Sequence, residues 1–118
     1  MVPSEPGVSG PVLVGEPAGG RVVVALSGDL ELANANLIGD QLRAVMNRNR
    51  PRVLLLDMSA VDFCDCAALQ TLIDVHGEGV RVGTRVVISE ASPTMVWLLR
   101  LFALDCLFDL SGHGACDG

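Results

Sequence analysis

The sequence predicts a single α/β domain, built on a mixed, mostly parallel sheet of about five strands with three to four helices. Three observations carry that prediction. Residues Val53-Leu54-Leu55-Leu56 form a continuous apolar run with a β-branched start, the pattern of a strand buried on both faces. The chain then passes through a polar turn, Asp57 to Asp65, into a helical pattern where Ala68-Leu69 and Leu72-Ile73 recur at spacings of three and four. Strand and helix signals alternate before and after this stretch in the order β β α β α β α β. That order requires parallel pairing wherever a helix intervenes and right-handed crossovers.

At 118 residues the chain has room for one core. Half of it is hydrophobic and 19% is charged, a balance that argues against disorder except at the ends. Residues 1–10 and 112–118, rich in proline, glycine and serine, read as flexible tails around a domain spanning 11–111. The net charge of −6 excludes a nucleic-acid partner, since phosphate binding needs a basic stripe. No apolar run is long enough to span a bilayer, so direct membrane insertion is not expected. MVPSEPGVSG lacks the basic start and apolar centre of a signal peptide, which points to a cytoplasmic protein. In that compartment the four cysteines are expected as reduced thiols.

Taken in order, Val12–Val14 and Val22–Leu26 are strands flanking the turn Glu16-Pro17-Ala18-Gly19-Gly20, and so form an opening hairpin. Gly28-Asp29-Leu30-Glu31 ends the second strand. A helix from about Ala33 to Arg48 follows, with Leu37/Ile38, Gln41/Leu42 and Val45/Met46 on one side. The central strand and helix come next, closing at Gly77 or Gly79. Arg85–Ile88 is another buried strand. Ser92-Pro93 starts a third helix to about Leu104, with Val96, Leu99 and Phe102 facing inward. Leu107–Leu110 is a last short strand. Asp62, Cys64, Asp65 and Cys66 should therefore lie at the carboxyl end of the central strand, where open α/β sheets place their working surface.

Three segments then resemble the STAS domain family, in its bacterial anti-sigma factor antagonist (anti-anti-sigma factor) group, from Val12 to Leu110. Gly28-Asp29-Leu30-Glu31-Leu32-Ala33-Asn34-Ala35 is similar to the family's Gly-Glu-Leu-Asp and helix start. Leu56 to Asp65 is similar to the strand and turn leading to its Asp-Ser-Ser-Gly-Leu motif. Val96 to Phe102, running into Leu107-Phe108, is similar to its last helix and strand. The resemblance implies a binding module that engages an anti-sigma factor of the serine-kinase type and releases its sigma factor. The kinase switches such a module off by phosphorylating a serine in the motif, adding about two negative charges where the partner docks. Here the motif reads Asp65-Cys66-Ala67-Ala68-Leu69, so the phosphorylatable serine falls on Cys66 and no hydroxyl remains. The implied partner-binding set is Glu31, Asp57, Ser59, Asp62, Asp65, Cys66, Ala67 and Leu69. No cofactor and no catalysis are implied, and pairing with a second copy stays open.

Cys66 at a helix start has two readings. The bland one, a lost serine replaced by a small residue, outranks the sharper one of a redox-sensitive thiol, because the carboxylates of Asp62 and Asp65 oppose the thiolate that the helix dipole favours. A thiol-based redox sensor using Cys66 and a STAS subunit of a membrane lipid-transport complex are the alternatives. A disulfide from Cys116 to Cys64 or Cys66 is sterically accessible under oxidation, since the segment after Leu110 spans about 20 Å. Zinc is not expected, because the remaining candidates Cys106, Cys116, His76 and His113 do not converge on Cys64 and Cys66. Asp57 and Asp62 lack a partnering base, and read as caps or partner contacts rather than hydrolytic acids. Met58 and Phe63 read first as core, and Trp97 lies off the inner stripe of its helix.

Overall fold

The computed structural model describes residues 12–110. Its elements are β1 (Val12–Val14), β2 (Arg21–Leu30), α1 (Leu32–Asn49), β3 (Val53–Cys64), α2 (Cys66–Val82), β4 (Arg85–Ala91) and α3 (Pro93–Leu101). The strands lie side by side in sequence order. β1 is antiparallel to β2, while β2, β3 and β4 are mutually parallel. The opening hairpin and both parallel crossovers are therefore present, in an α/β fold of four strands rather than about five. The tails at 1–10 and 112–118 lie outside the described residues.

One face of the sheet carries the core. Val22, Val24 and Leu26 of β2, Leu54 and Leu56 of β3, and Val86 and Ile88 of β4 pack with Ile38, Leu42 and Val45 of α1 and Leu69, Leu72 and Val75 of α2. Met95 and Leu99 of α3 complete the same cluster. The expectation that β3 is buried on both faces is corrected: Leu54 and Leu56 are fully buried, but Val53 and Leu55 only half so. The outward row Val23, Leu55 and Val87 stands apart from the core cluster.

The predicted polar turn from Asp57 to Asp65 is instead the second half of β3. Two extra residues accumulate on β3 relative to β2, between the pairs Ala25/Asp57 and Ser27/Ala60 and between Gly28/Val61 and Asp29/Phe63. Each bulge resets the side-chain alternation, so Met58, Val61 and Cys64 point inward at intervals of three. A period of three is neither strand nor helix to a pattern reader. The segment looks like a turn for that reason.

Three further boundaries differ. α2 passes through Gly77 and Gly79 and ends at Gly83, whose φ of 87° makes it the left-handed cap. Gly79, buried inside the helix, must be glycine because a Cβ there would stand 2.7 Å from the Thr84 carbonyl oxygen. α3 starts as expected, with Ser92 Oγ accepting from Met95 N at 3.2 Å and Pro93 at the first position. It stops at Leu101, however, and buries Met95 and Leu99 rather than Val96 and Phe102, a face turned by one position. The segment Leu107–Leu110 alternates buried and exposed like a strand, but its amides turn back locally, from Phe108 N to Leu104 O and Leu110 N to Asp105 O. A single bond from Ile88 N to Phe108 O ties it to the edge of β4. Phe108 is fully buried, edge-on to His76 of α2 at 5.4 Å.

Candidate docking site

Two helix starts meet at the carboxyl ends of β2 and β3, and Asp65 joins them. Leu30 and Cys64 are the last register pair of these strands, so α1 and α2 begin side by side. Asp65 Oδ1 accepts from Ala68 N at 2.9 Å, capping α2. Its Oδ2 accepts from Leu32 N at 2.9 Å, the first amide of α1. Its own amide donates to Leu30 O at 3.0 Å. One carboxylate thus closes both helices and ties them to the sheet. At the start of α1, Asn34 Oδ1 accepts from Glu31 N and Asn34 Nδ2 donates to Asp29 O.

Cys66 follows as the first residue of α2, exposed. Asp62 and Glu31 are exposed as well, and Ala67 is half-buried. Leu69 is buried in the core and contributes only the wall of a cleft of about 270 Å³ with Cys66, Gln70, Ile73, Phe102 and Leu104. Phe102 and Leu104 reach this cleft because α3 ends at Leu101 and buries Met95 and Leu99, a face turned by one position from the expected stripe. Leu32, 74% exposed, and Phe63, 50% exposed, also present apolar surface. Met58 is core, and Trp97 is exposed on α3.

Asp57 and Ser59 do not join this cluster. Asp57 stands on β3 before the first bulge and Ser59 within it, about 15–20 Å along the strand from Cys64. There Asp57 Oδ1 accepts from both Ser59 N and Ser59 Oγ, a local turn-like arrangement. A larger cleft, about 540 Å³, lies at the opposite end of the sheet, lined by His76, Thr84, Arg85, Cys106 and Asp109. It is occupied by the Arg85–Asp109 ion pair at 2.6 Å and has no connection with Cys66.

The two cysteines of the site differ in kind. Cys64 is buried, and burial pushes its thiol up to about 12, with the Asp65 carboxylate and Cys66 adding to the effect. Both Cys64 and Cys66 are free, whereas Cys106 is disulfide-bonded. The expectation of reduced thiols is therefore corrected at Cys106 and holds at Cys64 and Cys66. The bridge from Cys116 that oxidation would allow to either of them is absent, and Cys116 lies outside the described residues. Because the folded state holds Cys64 protonated, stability is complete below the ordinary thiol value of 9.0 and falls as pH rises toward 12. We expect iodoacetamide at neutral pH to label Cys66 well before Cys64, read by peptide mass spectrometry. Equal labelling rates would contradict the burial of Cys64. Among the described residues no group of three His, Cys, Asp or Glu side chains is placed to hold a metal. No helix among them is long and apolar enough to cross a membrane.

The family model described as "Mlab, STAS domain" matches residues 16–110. The chain belongs to the STAS domain family. Solved structures agree with that assignment. An anti-sigma factor antagonist from Mycobacterium paratuberculosis is 30% identical over 84% of this chain and 82% of its own, with a TM-score of 0.69. The anti-sigma factor antagonist SpoIIAA in its unphosphorylated form, 16% identical over 79% of this chain and 81% of its own, shares the fold with a TM-score of 0.68. A sulfate transporter family protein from Wolinella succinogenes, 19% identical over 80% of this chain and 75% of its own, does so at 0.65. Within this STAS domain the junction of Asp65 and Cys66 is the start of α2, where the sequence resemblance sets the antagonists' phosphorylatable serine.

Proposed function

We propose that this STAS domain is a non-enzymatic, cytoplasmic binding protein that docks on an anti-sigma factor of the serine-kinase type and so frees a sigma factor. The observation that carries this reading is Cys66: an exposed side chain of serine size at the first position of α2, directly after the Asp65 cap. A thiol there resembles the unphosphorylated, docking-competent serine. With no hydroxyl in the motif, serine phosphorylation at this position is not the control. Asp65 and Ala67 are the chain neighbours of Cys66, Glu31 and Asp62 add exposed carboxylates at the ends of the same strands, and the cleft edged by Phe102 supplies apolar contact.

Cys66 also offers a redox route to the same outcome. Hydrogen peroxide converts the thiol to a sulfenic acid with release of water, and a second peroxide gives a sulfinate, an anion where the family carries phosphate. The test is calorimetric binding of the reduced protein to the host's serine-kinase-type anti-sigma factors, repeated after peroxide treatment and with Cys66→Ser. The expected result is tight binding in reductant, loss on oxidation, and binding by Cys66→Ser that resists peroxide. No binding by the reduced protein to any of them overturns the reading. The MlaB description of the matching family and the transporter likeness favour a second one, a STAS subunit of a membrane lipid-transport complex. That reading predicts stable co-purification with an ATPase. A redox sensor acting through Cys66 chemistry alone predicts loss of function in Cys66→Ser.

A further inference from the structure

β3 is written for burial on two faces, yet helices cover one. The strand register shows what the other face offers. Its first row is Arg21, Val53 and Arg85; its second is Val23, Leu55 and Val87; its third is Ala25, Asp57 and, across the β4 bulge, Glu90. Leu13 of β1 flanks the third row opposite Ala25. The face therefore runs from arginines at one end, through an apolar belt, to carboxylates at the other. Val23 is 45% exposed and Leu13 60%, so the belt is open to solvent at β1 and β2. At β4, by contrast, Val87 is only 7% exposed and lines a cleft with Cys106, Leu107 and Asp109. A second copy therefore reaches the face mainly over β1, β2 and β3 and the exposed rim residues Arg85 and Glu90.

A pattern of this kind is complementary to itself in one orientation. A two-fold axis across the strands at the Val23–Leu55–Val87 row reverses the strand direction while keeping β2 over β2 and β4 over β4. Each copy's Arg85 then meets Glu90 of the other copy, and Asp57 falls between Arg21 and Arg85. An axis along the strands would instead set arginine on arginine. We propose that this outer sheet face is a homodimer interface, closed by two-fold face-to-face packing. The face measures roughly 20 Å by 20 Å. That is about 400 Å² per copy, half of what a standard interface uses, so the dimer is weak and concentration-dependent. The Arg85–Asp109 pair, exposed on both partners, is easily exchanged for Glu90 of the second copy. This surface is separate from the Cys66 junction, so the proposal stands or falls independently of the docking partner.

Sedimentation equilibrium of the full chain, from about 10 μM to about 1 mM, reads the association directly. The wild type is expected to move from monomer to dimer across this range and to shift toward monomer in high salt. Val23→Glu, which sets two carboxylates face to face on the axis, should weaken association at least about tenfold with the circular dichroism spectrum unchanged. Glu90→Arg and Arg85→Glu should each weaken it, and the two together should recover part of it, since the new glutamate still faces Asp57 of the second copy and loses its own pair with Asp109. A wild type that stays monomeric throughout, a dimer undiminished by Val23→Glu, or a charge swap that recovers no association overturns the interface.

Discussion

Replacing Cys66 with glutamate is expected to weaken anti-sigma factor binding at least about a hundredfold, or about 2.7 kcal/mol, while leaving the fold intact. Both halves follow from position. Cys66 is exposed and occupies the first turn of α2, where a carboxylate is favoured by about 0.3–1 kcal/mol through the helix dipole. Thermal melting should therefore barely change. On the proposed docking face the same charge would join those of Asp62, Asp65 and Glu31, and an unpaired like charge in an interface costs several kcal/mol. Cys66→Ser, which restores the hydroxyl, should bind within a few-fold of the wild type in reductant. Calorimetry paired with melting curves separates the outcomes. A glutamate variant that binds like the wild type would put the docking face elsewhere on the domain.

Asp65→Ala is expected to be the costliest change at the junction. It removes the acceptor for Ala68 N and for Leu32 N together, leaving one amide at the start of each helix without its carboxylate. Each such cap contributes about 1 kcal/mol, so the loss is about 2 kcal/mol and the melting temperature falls by roughly 10 °C. Asp65→Asn should lose about half as much. Its amide oxygen still accepts from Ala68, but the amide nitrogen cannot accept from Leu32. Chemical denaturation of the two variants gives the ratio. Equal losses in both would mean that the bond to α1 contributes nothing.

Much of this molecule was legible in the sequence because local patterns and tertiary packing agree there. α1 matches its predicted span to within a residue at each end, because Ile38, Leu42, Val45 and Met46 recur on one buried face, although Leu37 lies off it. Ser92-Pro93 marks the start of α3 by two independent signals, a capping hydroxyl and a proline at the first position. The failures share a cause. Between Asp57 and Cys64 the bulges change the side-chain period, and the turn that was read is a strand. At Leu107–Leu110 the alternation is strand-like, but hydrogen bonds rather than side chains decide, and the amides turn back locally. The junction at Asp65 was found as a motif; that its carboxylate caps two helices was not, since the bond to Leu32 spans 33 residues of chain. Asp57 and Ser59 were grouped with Cys66 by closeness in sequence, and an extended strand separates them.

The central claim is that the reduced protein occupies the anti-sigma factor in place of its sigma factor. The direct measurement is displacement: a fluorescently labelled sigma factor is bound to its serine-kinase-type anti-sigma factor, and the purified protein is titrated in under reducing conditions. Anisotropy should fall saturably with wild type and with Cys66→Ser, and not at all with Cys66→Glu. A sigma factor that stays bound at every concentration of the reduced wild type, for each such anti-sigma factor of the host, would contradict it.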